Sequence, residues 1–471
     1  MSLVKKHTEW LLLFGTSLVS FMGTLDASVV NIAMPDIAAT LHIPMNVVEW
    51  VASVYLVTIC VLLLFWGKLS DQIGRVNIFQ VGTLIFILGS AISGFSSSLI
   101  WLLIGRVIQA FGASMTMATN FGIITAIFPK NMQGRAFGLN SLVLQVGNVA
   151  GPGVGGIILS YLNWHWIFFI NLPIGVAVFV LDWAIFKHET IVWTDISVDW
   201  QGFGLYAIMI ILFFGMIFYA QVVGFTNPIS LLLLAVAIGL LVSFIWTERH
   251  VANPIIQLKV FRKANFTIGL ISAMLVYIVG YFSNVIMPFY LERTLNMAPK
   301  AAGLLLMGIP LANVIAAPIG GYLTDKYGAV LISFFALFIF VIPLVYFQLI
   351  QITWAVGLVF IVILFLGIGN GMFQNNPMIM ASAPQAYQGV AGSLAALARN
   401  IGMTIGLSVA TTSLYAGMSM KAGYKLTTYP VGHPAYFMVG MHFSYGLALG
   451  LILIAIALVG WVLKTKGPWP V

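Results

Sequence analysis

Stretches of about 20 residues with almost no charge recur along this chain, and that pattern constrains its fold more than any other feature. Twenty helical residues rise far enough to cross a hydrocarbon core of roughly 30 Å, whereas the strands of a membrane barrel need only about 9–11. Within lipid the backbone must satisfy its own hydrogen bonds, so such stretches read as helices. Charged residues make up 7% of the chain and hydrophobic residues 61%, against about 25% charged in an ordinary soluble domain. A water-soluble fold is excluded. Fourteen candidate membrane helices are centred in 10–34, 47–67, 76–95, 99–124, 135–160, 164–186, 202–221, 228–247, 265–290, 301–323, 328–347, 352–374, 387–414 and 437–463. The expected fold class is an all-α polytopic membrane protein.

An even number of crossings puts both termini on one side of the membrane. Lys5, Lys6, Lys68, Arg75, Lys130, Arg135, Lys187, Arg249, Lys259, Arg262, Lys263, Lys326, Lys464 and Lys466 fall at the termini or in even-numbered turns, whereas the other side holds Arg293, Lys300, Lys421 and Lys425. The positive-inside tendency makes both termini cytoplasmic. The net charge of +8 is scattered singly at helix ends rather than gathered into a stripe, so nucleic acid is not an expected partner. Cys60 is the single cysteine, which excludes an intramolecular disulfide and gives no hint of a metal cluster. The first apolar run carries Asp26 and leads a train of similar segments, so it reads as a retained span rather than a cleaved signal. The longest outward connection, about 415–436, reads equally as an ordered hairpin or a mobile loop.

A repeat organises the chain. The second helix ends in Gly67-Lys68-Leu69-Ser70-Asp71-Gln72-Ile73-Gly74 and the tenth in Gly321-Tyr322-Leu323-Thr324-Asp325-Lys326-Tyr327-Gly328. Glycine, leucine, a small hydroxyl, aspartate and glycine recur in one order at corresponding helix ends. Two related six-helix bundles follow, residues 1–190 and 259–471, with two inserted helices in 191–258. Pseudo-symmetric bundles around a central site are the usual architecture of alternating access.

Several segments carry a family resemblance. Leu25-Asp26-Ala27-Ser28-Val29-Val30-Asn31-Ile32-Ala33-Met34-Pro35, the run Gly67 to Arg75, Arg106-Val107-Ile108-Gln109, the run Gly147 to Gly156, and Trp164-His165-Trp166-Ile167-Phe168-Phe169-Ile170-Asn171-Leu172-Pro173-Ile174-Gly175 stand in order along the chain. Together they resemble the major facilitator superfamily, and within it the fourteen-helix drug:proton antiporter branch. The chain departs from that pattern in Ala27 and Ser28 beside the aspartate, in Gln72 and Val76 where arginine is common, and in His165, also an arginine position. The resemblance implies two bundles plus two inserted helices, a bacterial cytoplasmic (inner) membrane, and export of amphipathic or cationic drugs in exchange for protons.

Asp26 lies well inside the first apolar stretch, where an ionised carboxylate is costly unless it faces water, a cation or a partner. It is the first candidate for proton coupling and for sensing a cationic substrate; a hydrogen-bonded structural aspartate is the alternative. Arg106, on an antiparallel helix at similar depth, is its counterpart, and the resemblance assigns it a part in proton transfer. Its other reading is a fixed partner for backbone carbonyls or Gln109. Glu49, at the start of the second helix, fits the helix dipole as well as a cation-attracting vestibule. Arg399 and Asn400 fall mid-helix in the second half without an acidic residue at similar depth.

Gly147, Gly151, Pro152, Gly155 and Gly156 repeat small residues along the fifth helix, which permits close helix contact and bending; the resemblance makes this the exporter motif. Gly67, Asp71, Gly74 and Arg75, echoed by Asp325, are gating candidates. Asp71 is placed to accept from an exposed helix start in the other half and Arg75 to pair with an acid. Tyr55, Asn120, Gln145, Asn148, Asn284, Asn313, Asn370 and Gln374, with Asn375 and Asn376, supply polar groups for a substrate surface among many Phe and Met side chains, and that mixture suits bulky lipophilic cations.

No catalytic residue, metal site or cofactor is expected. The histidines show no His-Glu-x-x-His spacing and no phosphate-binding glycine loop is present, so energy comes from an ion gradient. Expected partners are protons, a small amphipathic or cationic substrate and membrane lipids, with a monomer as the working unit and a periplasmic adaptor as an optional addition. Proton-coupled symport, or export of a specific metabolite, peptide or lipid, is the alternative function.

Overall fold

A computed structural model describes residues 2–43, 45–185, 198–351, 356–373, 375–424, 426 and 433–467. Helices form wherever the apolar stretches occur: α1 (Ser2–Leu41), α2 (Trp50–Ile73), α3 (Arg75–Gly94), α4 (Leu99–Ile127), α5 (Gln133–Tyr161), α6 (Asn171–Ile185), α7 (Trp200–Val223), α8 (Pro228–His250), α9 (Ala264–Phe289), α10 (Gly308–Tyr327), α11 (Ala329–Leu349), α12 (Val356–Met372), α13 (Gln388–Ala422) and α14 (Pro434–Lys466). Among the described residues there is no strand, and thirteen helices are long and apolar enough to cross a membrane. The sixth stretch forms the shorter apolar helix Trp166–Leu181. The protein is an all-α, multi-pass membrane protein.

Three boundaries depart from the hydropathy pattern. Helix α1 continues to Leu41, through the proline at position 35. The sixth stretch opens with a one-turn helix, Trp166–Phe169, before α6 starts at Asn171; Pro173 then sits in the first turn of α6, where a missing N–H is tolerated. Helix α13 extends to Ala422 and α14 starts at Pro434, so the connection between them is shorter than 415–436.

The chain divides into two compact units. The first comprises 1–130, 143–262 and 383–397; the second comprises 131–142, 263–382 and 398–471. Helices α5 and α13 each contribute residues to both units.

In the first unit α3 and α4 approach closely because both present glycines. A β-carbon on Gly89 would strike the Gln109 backbone, one on Gly105 would strike Ser93, and one on Gly112 would strike Phe86. Leu25, Val29, Val30 and Ala33 of α1 pack with Leu102, Trp164, Ile167 and Phe168. The inserted helix α7 is tied to α2, where the Tyr206 hydroxyl donates to the Cys60 carbonyl at 2.6 Å. The core of the second unit is apolar and extensive, with Phe282, Phe340, Phe347, Phe437 and Tyr445 at its centre. Close approach through glycine recurs there, since Gly367 and Gly371 of α12 lie against the α10 backbone at Ile309 and Asn313.

Candidate functional site

The close α3–α4 contact brings Ser90 and Gln109 together, and α1 adds a carboxylate to them. Asp26 Oδ2 accepts from Arg106 Nη1 at 2.6 Å. Its Oδ1 accepts from two amides, Gln109 Nε2 at 2.9 Å and Asn171 Nδ2 at 2.8 Å. Gln109 Nε2 also donates to Ser90 Oγ at 2.8 Å, and Gln109 Oε1 accepts from Arg106 Nη1 at 2.6 Å. Arg106 Nε reaches the Val51 carbonyl at 3.1 Å. Its guanidinium carbon lies 4.0 Å from the centre of the Tyr55 ring and 5.8 Å from that of Phe168. Asp26 and Arg106 are each 1% exposed, and Ser90, Gln109 and Asn171 are fully buried.

Two unit charges at this depth are costly to desolvate, and such a pair is stable only when further hydrogen bonds saturate both partners. Here they do. Every donor on Asp26 is an N–H, one on Oδ2 and two on Oδ1. Arg106 pairs with Asp26 and also holds Gln109 and a backbone carbonyl, the fixed-partner contacts named in its second reading. Tyr55, taken from sequence as a substrate contact, is a wall of this pair, a cation–π face on Arg106.

Gln109, one turn after Arg106 on the same helix face, is the side-chain partner expected for it from sequence. Two members of the site, Ser90 and Asn171, were not singled out as site residues from sequence. Asn171 is a polar residue at the head of an apolar run, and that was its only signal. Its Nδ2 holds Asp26 while its Oδ1 is buried with no hydrogen-bond partner.

The other candidates fall in local settings. Asn120 Nδ2 donates to Ser20 Oγ at 2.5 Å, and Asn148 Nδ2 donates to Gln145 Oε1 at 3.2 Å. Asn313 is buried, Asn370 half-buried and Asn284 exposed. Asn375 Nδ2 donates to the Gly269 carbonyl at 3.0 Å, which makes it a bond between elements. Gln374 lies outside the described residues. Arg399 is half-buried and acts electrostatically on Tyr277 and Tyr281 of α9.

On α5 the glycines divide by face. Gly147, Gly151 and Gly155 lie against α1, where a β-carbon would meet Thr24, Ser28 and Val29 in turn, whereas one on Gly156 would meet nothing within 4 Å. The stripe repeats every four residues and so faces a single neighbour.

The two copies of the repeat make matching contacts. In the first unit Asp71 Oδ1 accepts from Gly389 N at 2.9 Å and Oδ2 from Val390 N at 3.2 Å, capping the start of α13. In the second unit Asp325 Oδ1 accepts from Gly134 N at 2.7 Å and Oδ2 from Arg135 N at 3.1 Å, capping the start of α5. Arg75 pairs with Asp71 itself at 2.8 Å and reaches the Gln385 carbonyl at 2.9 Å. Arg135 pairs with Asp325 at 3.3 Å. Gly67 lies against Gly389 and Ser393, and Gly321 against Gly134 and Gly138. Gly74 and Gly328 take φ of 100° and 93°, a region open to glycine at little cost.

Residues 16–407 match the family profile described as Major Facilitator Superfamily. The chain is 32% identical over 452 residues to the riboflavin transporter RibZ of Clostridioides difficile (strain 630), covering 96% of each chain. It is 26% identical over 421 residues to the multidrug resistance protein Stp of Mycobacterium tuberculosis (strain CDC 1551 / Oshkosh), covering 88% of this chain and 77% of that one. Among solved structures, a bacterial homologue of the iron transporter ferroportin in outward-facing state superimposes with a TM-score of 0.66 over 96% of this chain and 98% of that one. At 14% identity that likeness shows the fold alone.

Proposed function

Because the chain belongs to the Major Facilitator Superfamily, we propose that it is a proton-coupled antiporter exporting amphipathic or cationic compounds by alternating access, with Asp26 and Arg106 as its coupling pair. The observation that carries this reading is the buried carboxylate–guanidinium pair inside a membrane-spanning bundle. Removing one charge from such a pair leaves the other uncompensated, at a cost of about 3–5 kcal/mol. Protonation of Asp26 therefore frees the Arg106 Nη1 contact to seek a new partner, while Gln109 and the Val51 carbonyl still hold the guanidinium. That rearrangement gives a proton the differential interaction with two states that alternating access requires. The α5 glycine stripe on α1 is the surface over which helix α1 shifts. The aspartate caps on α13 and α5 are contacts that open when the inner side opens. Both termini are cytoplasmic in this reading.

A second reading is favoured by the 32% identity to the riboflavin transporter over nearly all of both chains. A planar heteroaromatic metabolite of that kind would also be received by the aromatic and amide side chains of this protein.

The test is pH-gradient-driven flux in proteoliposomes, with ethidium and riboflavin compared for the wild type and Asp26→Asn. Ethidium flux that collapses with the gradient and with the substitution is the expected result. Riboflavin flux without ethidium flux selects the metabolite reading, and equal gradient-driven flux in both proteins removes Asp26 from the coupling.

A further inference from the structure

The inserted helices hold a second pair of acids that the coupling mechanism does not use. Asp199 precedes α7 and caps it, its Oδ1 accepting from Gly202 N at 2.8 Å. Glu248 lies in the last turn of α8, and its Oε2 accepts from Ile256 N at 2.8 Å. Asp199 is 8% and Glu248 3% exposed. The remaining oxygens, Asp199 Oδ2 and Glu248 Oε1, are both buried with no hydrogen-bond partner. They are aimed at one place: each lies within 3.0 Å of the point where a β-carbon on Gly202 would sit. The missing side chain of Gly202 is what admits them both.

Two ionised carboxylates facing one buried space, each with an unpaired oxygen, combine like-charge repulsion with two desolvation penalties. Lys68 of α2 acts on Glu248 electrostatically, with Asp71 acting on Lys68 in turn. The Lys68 ammonium, however, lies 5.9 Å from the centre of the Tyr387 ring, and neither free oxygen receives a bond from it. A single proton answers both vacant oxygens at once. The helix dipole says which acid carries it: Glu248 lies at the carboxyl end of α8, where a negative charge is unfavourable.

We propose that Asp199 and Glu248 form a proton-binding site separate from Asp26, in which Glu248 Oε1–H donates to Asp199 Oδ2. This bond joins the start of α7, the end of α8 and, through Ile256 N–H, the segment that follows α8. Loss of the proton sets two anions against each other and loosens that junction, so the inserted pair responds to pH on the membrane face that also carries Arg249, Lys259 and Arg262. The site stands whether or not Asp26 is the coupling residue.

Infrared spectroscopy of the protein in proteoliposomes tests it. At neutral pH the wild type and Asp26→Asn should both retain a protonated carboxylic acid band that Glu248→Gln removes. Glu248→Gln keeps a donor toward Asp199, so it should fold, and its melting temperature should lose a pH dependence that the wild type shows. The sign follows from linkage: a folded state that holds a proton the unfolded chain releases loses stability as pH rises. Asp199→Asn should leave the band in place but shift its frequency, because the anionic acceptor is gone. The proposal is overturned if Glu248→Gln leaves every acid band unchanged, if the band disappears in Asp26→Asn, or if Asp199→Asn leaves its frequency unmoved. A wild type with no such band that is stabilised by sodium or magnesium overturns it in favour of a metal cation.

Discussion

At the scale of single residues the site is a carboxylate with three nitrogen donors and a guanidinium with three kinds of partner. Lysine at position 106 cannot reproduce this, since one ammonium does not span Asp26, the Gln109 amide and the Val51 carbonyl while stacking on Tyr55. Arg106→Lys is therefore expected to fold with reduced stability and to lose gradient-driven flux by at least about tenfold, the cost of one charge-assisted hydrogen bond of about 1.5–3 kcal/mol. Asn171→Leu removes a single donor from Asp26 Oδ1 while Gln109 keeps its own. A loss of coupled flux of about tenfold, with substrate binding retained, is the expected outcome. Binding measured by fluorescence alongside flux separates the two effects: equal loss of both would make Asn171 a packing residue only.

At the scale of elements the α5 glycines distinguish contact from composition. Gly151→Leu has no room, because a β-carbon already meets Ser28, whereas Gly156→Ala enters open space. The first should lower the melting temperature and abolish flux; the second should leave both near wild type. Equal sensitivity at the two positions would mean that the α1 contact is not what the stripe serves. The sequence made the helices legible through charge-free length alone, since in lipid no other local structure satisfies the backbone. It made Asp26 and Arg106 legible because a charge in an apolar run demands an explanation. Serines and amides carry no such penalty on the page, so Ser90 and Asn171 became visible only when the α3–α4 approach and the start of α6 brought them to Asp26. The break before Asn171 is marked in the sequence only by Asn171 and Pro173, because the five residues before it are all apolar and hydropathy has little contrast there.

At the scale of the molecule the repeat is an energetic device as well as a pattern. Each copy places an aspartate on the start of a helix from the other half of the sequence, Asp71 on α13 and Asp325 on α5. Substituting asparagine leaves one acceptor oxygen where the carboxylate offered two, and removes the ion pair with Arg75 or Arg135. Loss of a cap of this kind costs about 0.5–2 kcal/mol. If both caps separate in the same transition, either substitution shifts one shared equilibrium by about twofold to thirtyfold, since about 1.4 kcal/mol corresponds to a factor of ten. A reporter is at hand on α13: Ser393, which lies against Gly67, replaced by cysteine in a chain whose single native cysteine, the buried Cys60, has been changed to alanine. Labelling of Ser393→Cys by a soluble maleimide should accelerate several-fold with Asp71→Asn. It should accelerate by a comparable factor with Asp325→Asn, although Asp325 caps α5 in the other unit, and the factors should multiply in the double variant. Acceleration by Asp71→Asn alone would reduce the two caps to independent helix ends, and the repeat to a feature of folding rather than of transport.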